Sequence, residues 1–180
     1  MHFPPTTIDL GFSHAVQTWQ PQWLTLKMKL ITSIISPEVM FIVGVLLVWY
    51  FWLHRKHPKS TLTAAAILAG NIWTLVVKDV IQRPRPLPSD VHILIHETGF
   101  SFPSGHAVGV VLLVAAWYVL TPKRWRIDVL ALSGLVIAAV GYSRIYLGVH
   151  WLTDVLAGYG IALLWVAIVL LVAGRTPSRR

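Results

Sequence analysis

The chain has 180 residues, of which 56% are hydrophobic and only 12% charged, about half the charged share of a soluble domain. Its net charge of +8 would suit nucleic acid only if the basic residues formed one continuous face. They fall instead in blocks between apolar runs, which excludes a nucleic-acid partner, and the absence of cysteine excludes disulfides, thiolate metal sites and cysteine nucleophiles.

The first stretch, MHFPPTTIDLGF, has neither the basic start nor the apolar stretch of a signal peptide, so insertion into a membrane is expected to be driven by internal spans. Apolar positions such as Ile8, Phe12, Trp19, Trp23 and Leu30 alternate with polar ones. They predict amphipathic helices over residues 9–19 and 23–36, separated by Pro21 and lying in the bilayer interface. Five apolar spans are predicted next, at 39–53, 62–77, 107–120, 129–142 and 155–173. The first ends in the aromatic anchor Trp49, Tyr50, Phe51 and Trp52, and nine tryptophans in all strengthen the interface signal. The second is rich in small residues (Ala64, Ala65, Ala66, Ala69, Gly70), which suits close helix packing. Several runs fall short of the roughly 20 residues that cross hydrocarbon, and continuation into flanking polar clusters would supply the difference. The expected fold is all-α: one integral-membrane domain over 1–180, with an interfacial segment at 1–36, a five-helix bundle at 37–174 and a basic cytoplasmic tail at 175–180.

Basic residues set the topology. Arg55, Lys56 and Lys59 follow the first span, Lys123, Arg124 and Arg126 the third, and Arg175, Arg179 and Arg180 the fifth. These connections share one side, which the positive-inside rule makes cytoplasmic. Residues 82–104 and 143–154 then lie together on the extracytoplasmic side.

Three polar clusters abut those spans, at 78–86 (KDVIQRPRP), 103–106 (PSGH) and 143–154 (SRIYLGVHWLTD). Charges so near hydrocarbon are costly and are functional suspects. In the last cluster His150 and Asp154 are four apart, so on a helix they share a face. A carboxylate there fixes one imidazole nitrogen and frees the other to attack. Standing alone, such a pair is more often an ordinary helix-surface contact. Arg144 can fork onto phosphate oxygens. Pro103-Ser104-Gly105-His106 precedes a span, where free N–H groups make an anion site; alone it is equally a plain cap. Lys78 is either a phosphate ligand or a snorkelling anchor. His92, His96 and Glu97 are read as exposed loop residues, and His54 and His57 as solvated.

In this order and spacing the clusters resemble the type 2 phosphatidic acid phosphatase (PAP2) superfamily, which includes bacterial lipid phosphatases and vanadium haloperoxidases. The pattern K-x6-R-P, P-S-G-H, S-R-x5-H-x3-D is filled by Lys78, Arg85-Pro86, residues 103–106, Ser143-Arg144, His150 and Asp154. Its spacing selects Arg85 over Arg83. The resemblance implies that Lys78, Arg85, Arg144, the Ser104 hydroxyl and the Gly105 N–H hold phosphate. It implies that His150 attacks phosphorus, Asp154 orients it, and His106 protonates the leaving group and later activates water. No metal or cofactor is implied.

The expected activity is a metal-independent lipid phosphatase of the cytoplasmic membrane, acting at its outer face through a phosphohistidine. Undecaprenyl pyrophosphate is the first candidate substrate, and phosphatidylglycerol phosphate or phosphatidate the next. A lipid-phosphate-binding scaffold or transporter is the non-enzyme alternative, but it has no use for both His106 and His150. Many bacterial members have six spans; five here would leave the N-terminus outside.

Overall fold

The computed structural model describes residues 3–54 and 58–175, with the side chains of 58–60 excepted. Arg55, Lys56, His57, Arg179 and Arg180, used above, lie outside the described residues, as does the side chain of Lys59. All regular structure among the described residues is helical, and each of the five expected apolar runs forms helix.

The N-terminal segment folds as two helices, α1 (Thr7–Gln17) and α2 (Gln22–Ile34). Thr6 caps α1 in a reciprocal capping box with Asp9, an arrangement worth about 1 kcal/mol. Ile8, Phe12, Trp19, Trp23, Leu26 and Leu30 remain exposed, while the opposite faces pack on the bundle. Asp9, expected on an interfacial helix, is completely buried.

The bundle comprises α3 (Pro37–Leu53), α4 (Pro58–Leu68), α5 (Asn71–Ile81), α6 (Gly105–Leu120), α7 (Arg126–Tyr146) and α8 (Leu152–Arg175). Segments 61–81, 123–146 and 152–175 are long and apolar enough to cross a bilayer. Helices α2 and α3 pass the same test only as a pair, bent by 45° at their junction. The remaining run, α6, has 16 residues, roughly 24 Å of rise against about 30 Å of hydrocarbon. Its shortness fits its position. Helix α6 packs on α3, α4, α5, α7 and α8, and Ala107, Val108, Val110, Leu112 and Ala116 are buried. A helix that is apolar all round belongs in the middle of a bundle.

The second expected span is one path but two helices. At the break, the Gly70 N–H bonds the Ile67 carbonyl at 3.0 Å, three residues back instead of four. The Ala66 carbonyl accepts 3.0 Å from the indole N–H of Trp165 on α8, and the Leu68 carbonyl accepts from the Asn71 amide at 2.9 Å. These side chains satisfy carbonyls that lipid could not. The indole also fills the space beside Gly70, where a Cβ would come within 2.5 Å of its ring.

Gly70→Ala must therefore push Trp165 aside, and it should destabilise the protein by about 1–3 kcal/mol despite the better helix propensity of alanine. Trp165→Phe deletes both the hydrogen bond to Ala66 and ring atoms packed beside Gly70, and should also cost about 1–3 kcal/mol. Thermal unfolding in detergent measures both losses, and a Gly70→Ala protein as stable as wild type would contradict the packing.

Candidate active site

Four helix ends, of α5, α6, α7 and α8, and the long 82–104 loop meet at one end of the bundle. Helix α7 stops after Tyr146, and Gly148 turns the chain with φ +74°. A Cβ on Gly148 would sit 2.3 Å from the His92 carbonyl oxygen, so the loop packs directly on this turn. The Leu94 N–H donates to the Leu147 carbonyl at 3.0 Å, and the Ser101 N–H to that of Arg83 at 2.8 Å. His150 consequently precedes α8 instead of lying on it. The expected helical face shared with Asp154 is replaced by a turn running into the first turn of α8.

Asp154 is completely buried and heavily occupied. It accepts from the Trp151 N–H at 2.9 Å, from the Ser101 hydroxyl, and from Arg83 Nη1 at 2.6 Å. The Nδ1 of His150 lies 3.6 Å from Oδ2 of Asp154. The other ring nitrogen, Nε2, is 3.3 Å from Arg85 Nη1. Burial pushes the His150 imidazole down to about 3; Asp154 opposes that shift, and Arg144 and Arg85 reinforce it. A neutral ring facing the cations with one lone pair is the state that can act as a nucleophile.

Each expected cation is anchored. Lys78, near the end of α5, donates to the Phe100 carbonyl at 2.7 Å. Arg85 donates to the carbonyls of Val149 (2.9 Å), Thr98 (3.1 Å) and Gly99 (3.2 Å). Arg144, in the last turn of α7, is fully buried; it bonds the Thr32 hydroxyl and the Glu97 carboxylate, and its Nε has no partner. The exposed-loop reading of Glu97 fails here. Only 27% of its side chain is exposed, and it also pairs with Arg85 at 3.1 Å. Burial would raise its carboxyl, but Arg144 foremost, with His150 and Arg85, holds it down to about 2.

The PSGH cluster opens α6. Ser104 is its N-cap residue, yet the hydroxyl caps nothing and is buried without a partner, while the Ser104 N–H donates to the Asp154 carbonyl at 3.1 Å. His106 Nε2 lies 3.1 Å from the Thr32 hydroxyl and 3.2 Å from the Thr32 carbonyl. Lys78, Arg85, Gly105, His106 and His150 line one cavity of about 780 Å³, together with His96 and Glu97. Ser104, Arg144 and Asp154 stand behind its wall, fully buried. Phe41, Ile72 and Leu75 give the cavity an apolar wall, with Glu38 and Asn71 beside it. Phe41 and Ile72 also line a second, apolar cavity of about 440 Å³ running past Val45, Trp49 and Leu68. Among the described residues, no three His, Asp or Glu side chains cluster as metal ligands.

The sequence profile of the PAP2 superfamily matches residues 61–177. The chain belongs to the PAP2 superfamily. It is 30% identical over 162 residues to phosphatidylglycerophosphatase B of Bacillus subtilis (strain 168), covering 87% of this chain and 78% of that one. A crystal structure of a transmembrane PAP2-type phosphatidylglycerolphosphate phosphatase from Bacillus subtilis superposes with TM-score 0.81 at 29% identity, covering 96% of this chain and 87% of the other. An undecaprenyl-diphosphatase of Sulfolobus acidocaldarius is 35% identical over 96 residues, 52% of this chain and 43% of that protein. As a PAP2 lipid phosphatase in a membrane fold, the chain is a hydrolase of phosphate esters.

Several residues that complete this PAP2 site escaped the sequence reading. Thr32 reaches it from α2 and Asp9 from α1, both outside the profile match. Arg83, passed over in favour of Arg85, is 5% exposed and pairs with both Asp9 (2.8 Å) and Asp154 (2.6 Å). Ser101 and Thr153 add hydroxyls to the same network. One signal was present: Thr6-x-x-Asp9 is a capping-box pattern, which places α1 although not its target.

The two arginines should separate in stability. Arg83→Ala strands two buried carboxylates, a change costing about 3–5 kcal/mol, whereas Arg85→Ala removes donors from three backbone carbonyls and leaves one carboxylate, the partly exposed Glu97, short of one partner. Detergent unfolding should rank Arg83→Ala well below Arg85→Ala. Acid should also destabilise the fold through His150. Its folded value of about 3 lies below the ordinary 6.5, so the unfolded chain binds the proton more readily. The stabilisation is complete above about 6.5 and is lost as pH falls toward 3. His150→Gln should lose less of its unfolding temperature than wild type between pH 7.5 and 5.

Proposed function

We propose that the site cleaves a phosphate or diphosphate ester of a membrane lipid through a phosphohistidine at His150, and that its substrate is a glycerolipid phosphate such as phosphatidylglycerol phosphate. The observation that carries this reading is Glu97. Its carboxylate bridges Arg85 and Arg144 beside His150 Nε2, which is the set of contacts a tetrahedral phosphate would make. A dianionic phosphate offers more charge and more oxygens to the same two guanidinium groups and displaces the carboxylate.

In the proposed reaction Lys78, Arg85 and Arg144 hold the non-bridging oxygens. The Ser104 hydroxyl and the Gly105 N–H, at the positive end of α6, supply neutral donors. The lone pair of His150 Nε2 forms the N–P bond while the P–O bond to the lipid breaks. His106 gives its proton to the departing oxygen. A water, deprotonated by His106, then attacks phosphorus, releasing inorganic phosphate and restoring His150. Asp154, whose Oδ2 lies 3.6 Å from Nδ1, stabilises the charge that the ring acquires.

The hydrocarbon of the substrate is assigned to the apolar wall of Phe41, Ile72 and Leu75 and to the second cavity beyond it. The Bacillus relative, matched over most of both chains, favours the glycerolipid headgroup. Undecaprenyl pyrophosphate, the first candidate from sequence, is the second reading, and the shorter match to the Sulfolobus protein favours it. Lys123, Arg124 and Arg126 lie at the end of α6 away from the site, so the positive-inside rule assigns the site to the extracytoplasmic face of the cytoplasmic membrane.

Phosphate release by the purified protein in detergent, assayed with phosphatidylglycerol phosphate, phosphatidate and undecaprenyl pyrophosphate, tests the assignment. The glycerolipid phosphates should give the highest kcat/KM, EDTA should leave the rate unchanged, and His150→Ala should abolish turnover while retaining vanadate binding. Full turnover in His150→Ala would remove the nucleophile from the scheme; preference for the prenyl substrate would install the second reading.

A further inference from the structure

The buried Arg83 guanidinium has a carboxylate on each side: Asp154 Oδ1 at 2.6 Å and Asp9 Oδ2 at 2.8 Å. Thr153 ties the same groups together. Its hydroxyl accepts from Arg83 Nη1 at 2.7 Å and donates to Asp9 at 2.8 Å, and its N–H donates to Asp9 Oδ1 at 2.9 Å. That N–H belongs to the first turn of α8, where backbone donors lack helical partners. Asp9 of α1 therefore caps α8 from another helix. Thr6 closes the shell with its N–H and hydroxyl, each 3.0 Å from Asp9 Oδ2.

Charge counting gives this arrangement a function. Were Arg83 paired with Asp154 alone, the two would cancel, and His150 would face a neutral pair. With Asp9 included, two carboxylates share one guanidinium and a net negative charge remains beside the ring. The other charged groups that face His150 or share its cavity, among the described residues, are the cations Lys78, Arg85 and Arg144, the carboxylate of Glu97, which the phosphate must displace, and that of Glu38. Asp154 is the carboxylate that stays against the ring, 3.6 Å from Nδ1, as the N–P bond forms, and in a water-poor site such a charge acts strongly.

We infer that Asp9 is a positioning residue for phosphoryl transfer: through Arg83 and Thr153 it fixes Asp154 and leaves the His150–Asp154 pair negatively charged. The inference rests on the proposed role of His150. Asp9 lies outside the residues 61–177 that match the family profile, so the N-terminal helix is a working part of this site.

Asp9→Asn is nearly isosteric and can still accept from Thr153, but it lacks the charge. Phosphate release from dioleoyl phosphatidate in detergent micelles is measured for the full chain, with rates expressed per vanadate-binding site so that misfolded protein is not counted. The expected result is a fall in kcat of roughly tenfold at constant KM, the pattern of an interaction made in the transition state. An unchanged kcat per site, with only the unfolding temperature lowered, would reduce Asp9 to a structural cap and overturn the inference. Should Asp9→Asn yield no folded protein, Thr153→Val decides. It removes the hydroxyl between Asp9 and Arg83 while keeping the N–H cap, and kcat should again fall at constant KM; an unchanged kcat overturns the inference. A wild type that releases no phosphate from any lipid phosphate would instead overturn the phosphatase scheme, and this inference with it.

Discussion

Arg83 lies between Asp9 and Asp154 at 2.8 and 2.6 Å with 5% of its side chain exposed. Three separate parts of the chain are joined there: helix α1, the start of the 82–104 loop and the first turn of α8. A guanidinium in such surroundings is tolerated only with its partners in place, so each part fixes the other two. The position of Asp154 follows, and through the turn at Gly148 and Trp151 so does that of His150. The loop that carries Arg85 and Glu97 is set by the same anchor.

Around this anchor the site concentrates more positive charge than a protein interior ordinarily accepts. Lys78 and Arg85 are held largely by backbone carbonyls, and Arg144 by Thr32 and Glu97. Carbonyl dipoles orient a cation without cancelling its charge, which leaves the field available for an incoming anion. Glu97 is the exception, a full negative charge on two of the three cations. The resting site is thus partly neutralised from within, and an anion entering it would compete with an internal carboxylate before reaching His150.

The apolar runs are readable because each is nearly uncharged and flanked by polar or charged residues, and all five form helix, the second as two helices. The motif residues were readable because their spacing is local. What escaped had no local signature. Asp9 and Asp154 are 145 positions apart in sequence, and no periodicity connects them. The four-residue spacing of His150 and Asp154 suits one helix, but α7 stops at Tyr146 and the positive φ of Gly148 turns the chain, which puts His150 in the turn before α8. The motif spacing selects Arg85 over Arg83, and Glu97 in a polar loop reads as exposed. A physical argument was open for both. The chain has seven acidic residues against fifteen Lys and Arg, and cations close to hydrocarbon must find partners, so each acid near a polar cluster was a candidate partner.

The break at Gly70 separates α4 from α5 where the two cavities share Phe41 and Ile72. The groove beyond that point is walled by residues such as Val45, Trp49 and Ile72 that are exposed on the bundle surface, where a bilayer would lie against them. In the proposed complex a lipid tail lying there would have protein on one side and bilayer on the other. Such a groove would not act as a ruler, because carbons past the break would meet the same kind of surroundings whether few or many. On that reading, discrimination among lipids falls to the first few bonds beyond the phosphorus, near Lys78 and Ile72, and tails of different length are accepted alike.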